Sequence, residues 1–112
     1  MKRIEAIIRP EKASEVCAAL DKVGHPDVTL SEVTGHSDRK GWVNHVRGMS
    51  YQVRILARIR VEVVVKDDDA NTVINAIRSA ALTGGLGDGE IFVHDLANAI
   101  RIRTNESGVA AI

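Results

Sequence analysis

A short segment in the last third of the chain, Thr83–Gly89, has four glycines in seven positions. Glycine allows positive φ angles and lets backbone N–H groups approach a phosphate without an intervening Cβ. The segment lies between a predicted helix and a predicted strand and lacks the Lys-Ser/Thr ending of a Walker A loop. Composition alone leaves two interpretations open, a flexible connector or a cradle for an anion.

A pair of arginines follows this segment. Arg101 and Arg103 are two residues apart in a short alternating stretch that we predict to be extended, so both guanidinium groups should project from the same side. Paired arginines suit phosphate or carboxylate groups. The alternative is a solvated strand face. Together with the glycines, the pair suggests an anion pocket.

Hydrophobic periodicity predicts the elements that position these residues. Clean alternation indicates strands, and apolar residues at helical spacing indicate two helices. The predicted order is strand Lys2–Arg9, a helix from Glu11, strand Val28–Thr34, a loop, strand Arg58–Val65, a helix over 70–81 and strand Glu90–His94. This βαββαβ order predicts an α+β fold, the ferredoxin-like plait. The stretch from Gly35 to Gln52 has no sustained period, and so long a loop is generally functional or mobile.

Length and composition limit the class of protein. The 112 residues make one domain, and equal numbers of basic and acidic residues, 15 each, argue against a protein that coats nucleic acid. No run of about 18 apolar residues exists that could insert into a membrane. The N-terminus lacks a signal-peptide pattern and Cys17 is the single cysteine, so we expect a cytoplasmic protein in which Cys17 is buried. No nucleophile–base pattern can be assembled, so we predict no catalytic residues and no enzyme activity.

Three motifs resemble the PII family of nitrogen regulators. They are Thr83-Gly84-x-x-Gly87-Asp88-Gly89-x-Ile91-Phe92-Val93 followed by Ile100–Thr104, the opening stretch Met1–Pro10, and Arg47-Gly48-x-x-Tyr51. The similarity runs along the whole chain. It implies a homotrimer, with a T-loop at about 36–56, a glycine-rich B-loop at 82–90 and a C-terminal segment at 101–112.

The resemblance also implies a function. A PII-like signalling regulator binds ADP, AMP or ATP between subunits and controls a transporter or a metabolic enzyme through its T-loop. By residue correspondence the phosphates would lie on the B-loop and the two arginines, and the adenine on the second strand and the loop after the second helix. The matching residues are Gly84, Gly85, Gly87, Asp88, Gly89, Arg101 and Arg103 for the phosphates, and Thr29, Leu30 and Val64 for the adenine.

Several positions depart from the family pattern, among them Gly85, where many members carry Lys or Arg, and three further positions bear on the ligand. Arg39 stands where the family usually has a magnesium-coordinating Gln, so we expect neither that magnesium site nor 2-oxoglutarate sensing by the usual geometry. Glu90 replaces a basic residue that touches the polyphosphate, and Arg58 replaces the Lys that contacts the 2-oxoglutarate carboxylate. The alternative is a PII-like protein of a transport system that responds to a metal or a small anion such as bicarbonate, with a weakened or lost nucleotide site.

The T-loop carries the remaining candidates. Trp42 suits a partner-binding anchor, and Arg47 and Tyr51 belong to the loop motif. The counterpart of Tyr51 is uridylylated in some bacteria, so Tyr51 is either a modification site or an exposed loop anchor. His36 and His45 share the loop, which keeps a metal site between subunits as an alternative, although their spacing is not that of a metal site and we predict none.

Overall fold

The structure is a computed structural model that describes residues 1–36, 43–46, 49–52 and 55–112. Its elements follow the predicted order, with one additional hairpin between the second strand and the long central strand. They are β1 (Lys2–Ile8), α1 (Ala13–Lys22), β2 (Thr29–His36), β3 (Val43–Val46), β4 (Met49–Gln52), β5 (Ile55–Val65), α2 (Ala70–Ala81) and β6 (Glu90–Asp95). Short 3₁₀ turns at Pro10–Lys12 and Asp67–Asp69 lead into the two helices.

One four-stranded antiparallel sheet, in the order β2-β5-β1-β6, carries both helices on one face. This is the predicted ferredoxin-like βαββαβ arrangement. Alternate residues of the strands point toward the helices and build a core of aliphatic side chains only. The buried residues are Ile4, Ala6, Ile8, Val16, Leu20, Val61, Val63, Val65, Ala70, Val73, Ile77 and Ala81.

The opposite face of the sheet, which we call the open face, carries charged and apolar side chains. Strand register places Glu5 of β1 directly opposite Glu62 of β5 on this face. Arg60 Nε lies 3.1 Å from Glu62 Oε1, and His94 Nε2 lies 3.8 Å from Glu5 Oε2. The Nε atoms of Arg3 and Arg60 and the Nε2 atom of His94 are excluded from solvent and make no hydrogen bond within the described residues. Among the described residues, this face therefore keeps buried nitrogen atoms without a hydrogen-bond partner.

The segment after β6 differs from its prediction. The alternation of Ile and Arg in 100–104 suggests an extended strand, but these residues form a tight turn. The N–H of Asn105 donates to the carbonyl of Arg101 at 2.8 Å, and the N–H of Arg101 donates to the carbonyl of Glu106 at 2.9 Å. Asn105 closes the turn with a φ of 61°. The prediction of an extended pair of arginines was wrong, because local hydrogen bonds override the alternating pattern.

Three smaller differences concern element ends and burial. Strands β2 and β5 run further than predicted, and His36 pairs with Ile55 at the point where they leave the sheet. The predicted loop also contains the β3–β4 hairpin. Cys17 is half-buried instead of fully buried.

Candidate functional site

The glycine-rich loop between α2 and β6 is organised around the carboxylate of Asp88. Oδ2 accepts the backbone N–H groups of Thr83 at 2.8 Å and Gly84 at 2.9 Å, and Oδ1 accepts the Thr83 hydroxyl. The Thr83 oxygen in turn accepts the N–H of Gly85 at 3.1 Å. The loop is therefore held in one conformation by its own side chains, and the interpretation as a merely flexible connector is disfavoured.

These hydrogen bonds hold the pKa of Asp88 well below its usual range. The Thr83 hydroxyl is the largest cause, followed by the Thr83 N–H, and burial opposes the shift. The hydroxyl and the N–H of Thr83 lower the pKa because a hydrogen-bond donor stabilises the ionised carboxylate more than the protonated one. Asp88 is thus anionic throughout the physiological pH range.

Arg9 connects the loop to the first strand. Its Nε donates to Asp88 Oδ1 at 3.2 Å, and both side chains are largely covered, with 25% of Arg9 and 19% of Asp88 exposed. Sequence reasoning did not nominate Arg9, because it lies 79 residues before Asp88 and follows an ordinary strand. The only feature of the sequence that could have pointed to Arg9 as a site residue is its position directly after β1 and before Pro10.

Arg58 and Arg9 both approach the same glycine, Gly87. A Cβ at Gly87 would lie 3.0 Å from Arg9 Nη2 and 3.2 Å from Arg58 Nη2, and one at Gly85 would lie 2.8 Å from Arg9 Nη2. Arg58 is oriented by a hydrogen bond from Nη1 to the carbonyl of Ala57 at 3.0 Å. Two guanidinium groups therefore lie close to Gly87. Such a pair of planar forks suits a carboxylate or a phosphate.

Gly89 is required at the end of the loop. It has a φ of +99°, and a Cβ there would overlap the carbonyl oxygen of Ile7 in β1. The glycine lets the chain pass directly over β1 as it enters β6. This close approach brings the loop, Arg9 and the start of β6 together.

An apolar cavity of about 350 Å³ lies beneath the loop, between α2 and the β1–β6 side of the sheet. Its walls are aliphatic side chains from both layers, with Arg78, Asp88 and Glu90 at the polar positions. The aliphatic lining residues include Ile8, Ile74, Ile77, Ala81, Leu82 and Ile91.

The residues expected at an adenine lie elsewhere in the chain. Thr29 and Leu30 are on β2, at the opposite edge of the sheet from β6, which is three strand spacings or roughly 14 Å away. The register places Thr29 with Glu62 on the open face and Leu30 with Val61 on the helix side. Val64 is also on the open face, opposite Arg3. A single chain does not bring these residues together with the loop.

The remaining predicted site residues lie in the C-terminal segment and in the T-loop. Arg101 and Arg103 are exposed on the turn after β6, and neither makes an ion pair within the described residues. The predictions on Arg39, Trp42 and Arg47 lie outside the described residues, as do those on the side chains of His45 and Tyr51. Across the described ranges, no group of three or more His, Cys, Asp or Glu residues could hold a metal ion.

Comparison with known proteins decides the family. The family model described as nitrogen regulatory protein P-II matches residues 1–106. The chain belongs to the nitrogen regulatory P-II family. It is 49% identical to the P-II protein of Rhizobium meliloti and 46% identical to P-II 1 of Escherichia coli K12, each over all 112 residues and the full length of the relative.

A solved structure of a P-II protein supports the same family assignment. The crystal structure of Arabidopsis thaliana PII bound to citrate is similar, with a TM-score of 0.81, 38% sequence identity, and coverage of 99% of this chain and 91% of that one. The P-II relatives are named as nitrogen regulatory proteins, which describes a regulatory role. None of the described helices of this P-II protein is long and apolar enough to span a membrane.

Proposed function

We propose that this P-II protein binds an adenine nucleotide between the subunits of a homotrimer and controls a transporter or metabolic enzyme in nitrogen regulation. The observation that supports it is the hydrogen-bonded glycine-rich loop with Arg9 and Arg58 close to Gly87. The loop offers small residues, backbone donors and two fixed cations at one place. These are the parts that an anionic ligand requires.

Part of the loop's hydrogen-bonding capacity is already used within the loop. Asp88 already accepts the N–H groups of Thr83 and Gly84, so a phosphate would use the later part of the loop, near Gly87 and Gly89. The related Arabidopsis protein was crystallised with citrate, a polycarboxylate. That chemistry is consistent with an oxyanion held at Gly87 by the guanidinium groups.

A nucleotide site of this kind would be shared between two copies. The loop and Thr29 lie at opposite edges of one sheet. The open face also favours assembly, because a buried donor without a hydrogen-bond partner in the described residues, such as Arg3 Nε, destabilises an isolated subunit. A homotrimer in which the loop of one copy meets β2 of the next would place phosphate and adenine groups at one cleft.

Glu90 determines which nucleotide is preferred. Its carboxylate is exposed at the first position of β6, directly after Gly89, and it has no ion-pair partner in the described residues. Each added phosphate therefore meets a negative charge beside the loop. ADP or AMP binds at least as well as ATP, and 2-oxoglutarate does not strengthen ATP binding. The segment 36–56 would transmit the bound state to the partner protein.

Titration calorimetry tests this function. ATP, ADP and AMP are titrated into the protein with and without Mg²⁺ and 2-oxoglutarate. Arg58→Met should weaken binding by roughly tenfold, because one of two charge-assisted contacts is lost. Lys22→Met, which removes a charge from α1, serves as the matched control. Binding of bicarbonate or a divalent metal with no heat from any nucleotide would refute the proposal.

A further inference from the structure

The glycine-rich loop contains an Asp-Gly step, Asp88-Gly89, and this step occurs once in the chain. No other aspartate and no asparagine of the 112 residues is followed by a glycine. An aspartate in this context is prone to spontaneous rearrangement, because glycine has no Cβ to hinder attack by its own backbone nitrogen on the preceding carboxyl group. The sequence thus places the aspartate most open to this chemistry at the end of the loop.

The rearrangement needs a neutral carboxyl group that is free to turn. The nitrogen of Gly89 loses its proton and bonds to Cγ of Asp88, the bond from Cγ to the carboxyl OH breaks, and one water molecule leaves. The five-membered imide ring then takes up one water. Opening at Cγ restores aspartate, whereas opening at the main-chain carbonyl of Asp88 gives isoaspartate. The mass of the chain is unchanged, but its backbone now runs through the side-chain carbons of this residue and is one carbon longer.

The folded loop meets neither requirement. Oδ2 of Asp88 accepts the N–H groups of Thr83 and Gly84 at 2.8 and 2.9 Å, and Oδ1 accepts the Thr83 hydroxyl and Arg9 Nε. These donors, the Thr83 hydroxyl above all, hold the pKa of Asp88 well below its usual range, so the neutral carboxyl group is rare. Any rotation of the carboxyl group also breaks several of these bonds, whereas ring closure requires the reacting atoms to be in contact and aligned.

The product of the rearrangement would not fit the loop. Gly89 has a φ of +99°, and a Cβ there would overlap the carbonyl oxygen of Ile7, so the chain passes β1 without spare room. An additional backbone carbon at residue 88 must therefore displace either Gly89 or the carboxylate that binds Thr83 and Arg9. Either displacement disrupts the loop.

We propose that Asp88 is the site at which this protein undergoes covalent ageing to isoaspartate, and that the hydroxyl of Thr83 protects it. Isoaspartate forms only while the loop is open, and its formation removes the acceptor that holds Arg9 beside the loop. The inference goes beyond the proposed function, because it concerns the chemical durability of the loop and is the same whichever anion the loop binds.

Peptide mapping by liquid chromatography and mass spectrometry tests the proposal, because aspartyl and isoaspartyl peptides have the same mass but different retention. Folded wild-type protein and wild-type protein in guanidinium chloride are incubated side by side at about pH 5, where an ordinary aspartate with a pKa of about 4 is partly neutral. Isoaspartate at residue 88 should form at least about tenfold more slowly in the folded protein. Equal rates in the two samples would overturn the proposal.

Variants at Thr83 test the role of its hydroxyl, with circular dichroism to check that each is folded. Thr83→Val should raise the rate in the folded protein by at least about tenfold, because each unit by which the pKa of Asp88 returns toward its usual value gives about tenfold more neutral carboxyl group. Thr83→Ser keeps the hydroxyl and should stay near the wild-type rate. Thr72→Val makes the same change at an exposed position of α2 and is the matched control.

Thr83→Ala also lacks the hydroxyl and gives a second measurement of the same effect. A folded Thr83→Val or Thr83→Ala protein that forms isoaspartate at residue 88 no faster than Thr72→Val would overturn the role given to the hydroxyl. A Thr83→Ser protein that reacts as fast as Thr83→Val would overturn it as well.

Discussion

Arg9 at the end of β1 donates from Nε to Oδ1 of Asp88 at 3.2 Å, and so joins the first strand to a loop 79 residues later. The same carboxylate binds the hydroxyl and N–H of Thr83 and the N–H of Gly84. One ionised side chain thus fixes both the shape of the loop and the position of a guanidinium group beside it. The site depends on this relationship more than on the glycines alone.

Replacing Asp88 with Asn should weaken nucleotide binding by roughly tenfold or more, because one of the two acceptor oxygens becomes an NH₂ group that faces a donor. Both oxygens of Asp88 accept hydrogen bonds, so either orientation of the amide opposes a donor. Calorimetry with ADP measures the change. Asp68→Asn is the control, since Asp68 is exposed and makes no side-chain hydrogen bond in the described residues. Equal affinities for the two variants would contradict the role given to Asp88.

Asp88 should also make stability depend on pH. Its pKa is lowered in the folded protein, chiefly by the Thr83 hydroxyl, so its contribution to stability is present above the ordinary aspartate pKa of about 4 and is lost as the pH falls below it. Urea unfolding of the wild type and Asp88→Asn between pH 3 and 6 measures this. The difference between the two proteins should shrink toward pH 3. A difference in the free energy of unfolding that stays constant between pH 3 and 6 would contradict the stabilising role given to the ionised carboxylate of Asp88.

Gly89→Ala should destabilise the fold much more than Gly84→Ala. Both glycines have positive φ, but a Cβ at Gly89 would overlap the Ile7 carbonyl, whereas one at Gly84 meets nothing within 4 Å. We expect a loss in the free energy of unfolding of about 3 kcal/mol or more for Gly89→Ala and about 1–2 kcal/mol for Gly84→Ala. Denaturant unfolding gives both values. Similar losses would show that the loop can move away from β1.

Replacing Glu90 with Lys should improve ATP binding by roughly tenfold and change AMP binding less, because the added charge acts on the outer phosphates. Parallel titrations of the wild type and the variant with ATP and AMP measure the selectivity. Asp21→Lys is a control that makes the same charge change at an exposed position of α1. A wild type that strongly prefers ATP, with the preference unaltered in Glu90→Lys, would defeat the argument.

Most of the fold could be predicted from the sequence because its elements are strongly periodic. The alternation in β5 and the helical spacing around Val73 and Ile77 fixed their type. The glycine-rich loop was recognised from composition, but the Arg9–Asp88 contact was not, since it depends on how β1 and the loop meet in space. Alternation misled the prediction for Arg101 and Arg103, where backbone hydrogen bonds form a turn.

The central claim is that the nucleotide site is built from two copies of the chain. Native mass spectrometry of the protein with ADP tests it most directly, because assembly and ligand occupancy are read from one spectrum. The account predicts a species with three times the 12.1 kDa chain mass that carries up to three ADP molecules, and monomers without ADP when the assembly is diluted apart. A monomer that retains ADP, or an intact trimer that never binds a nucleotide, would contradict it.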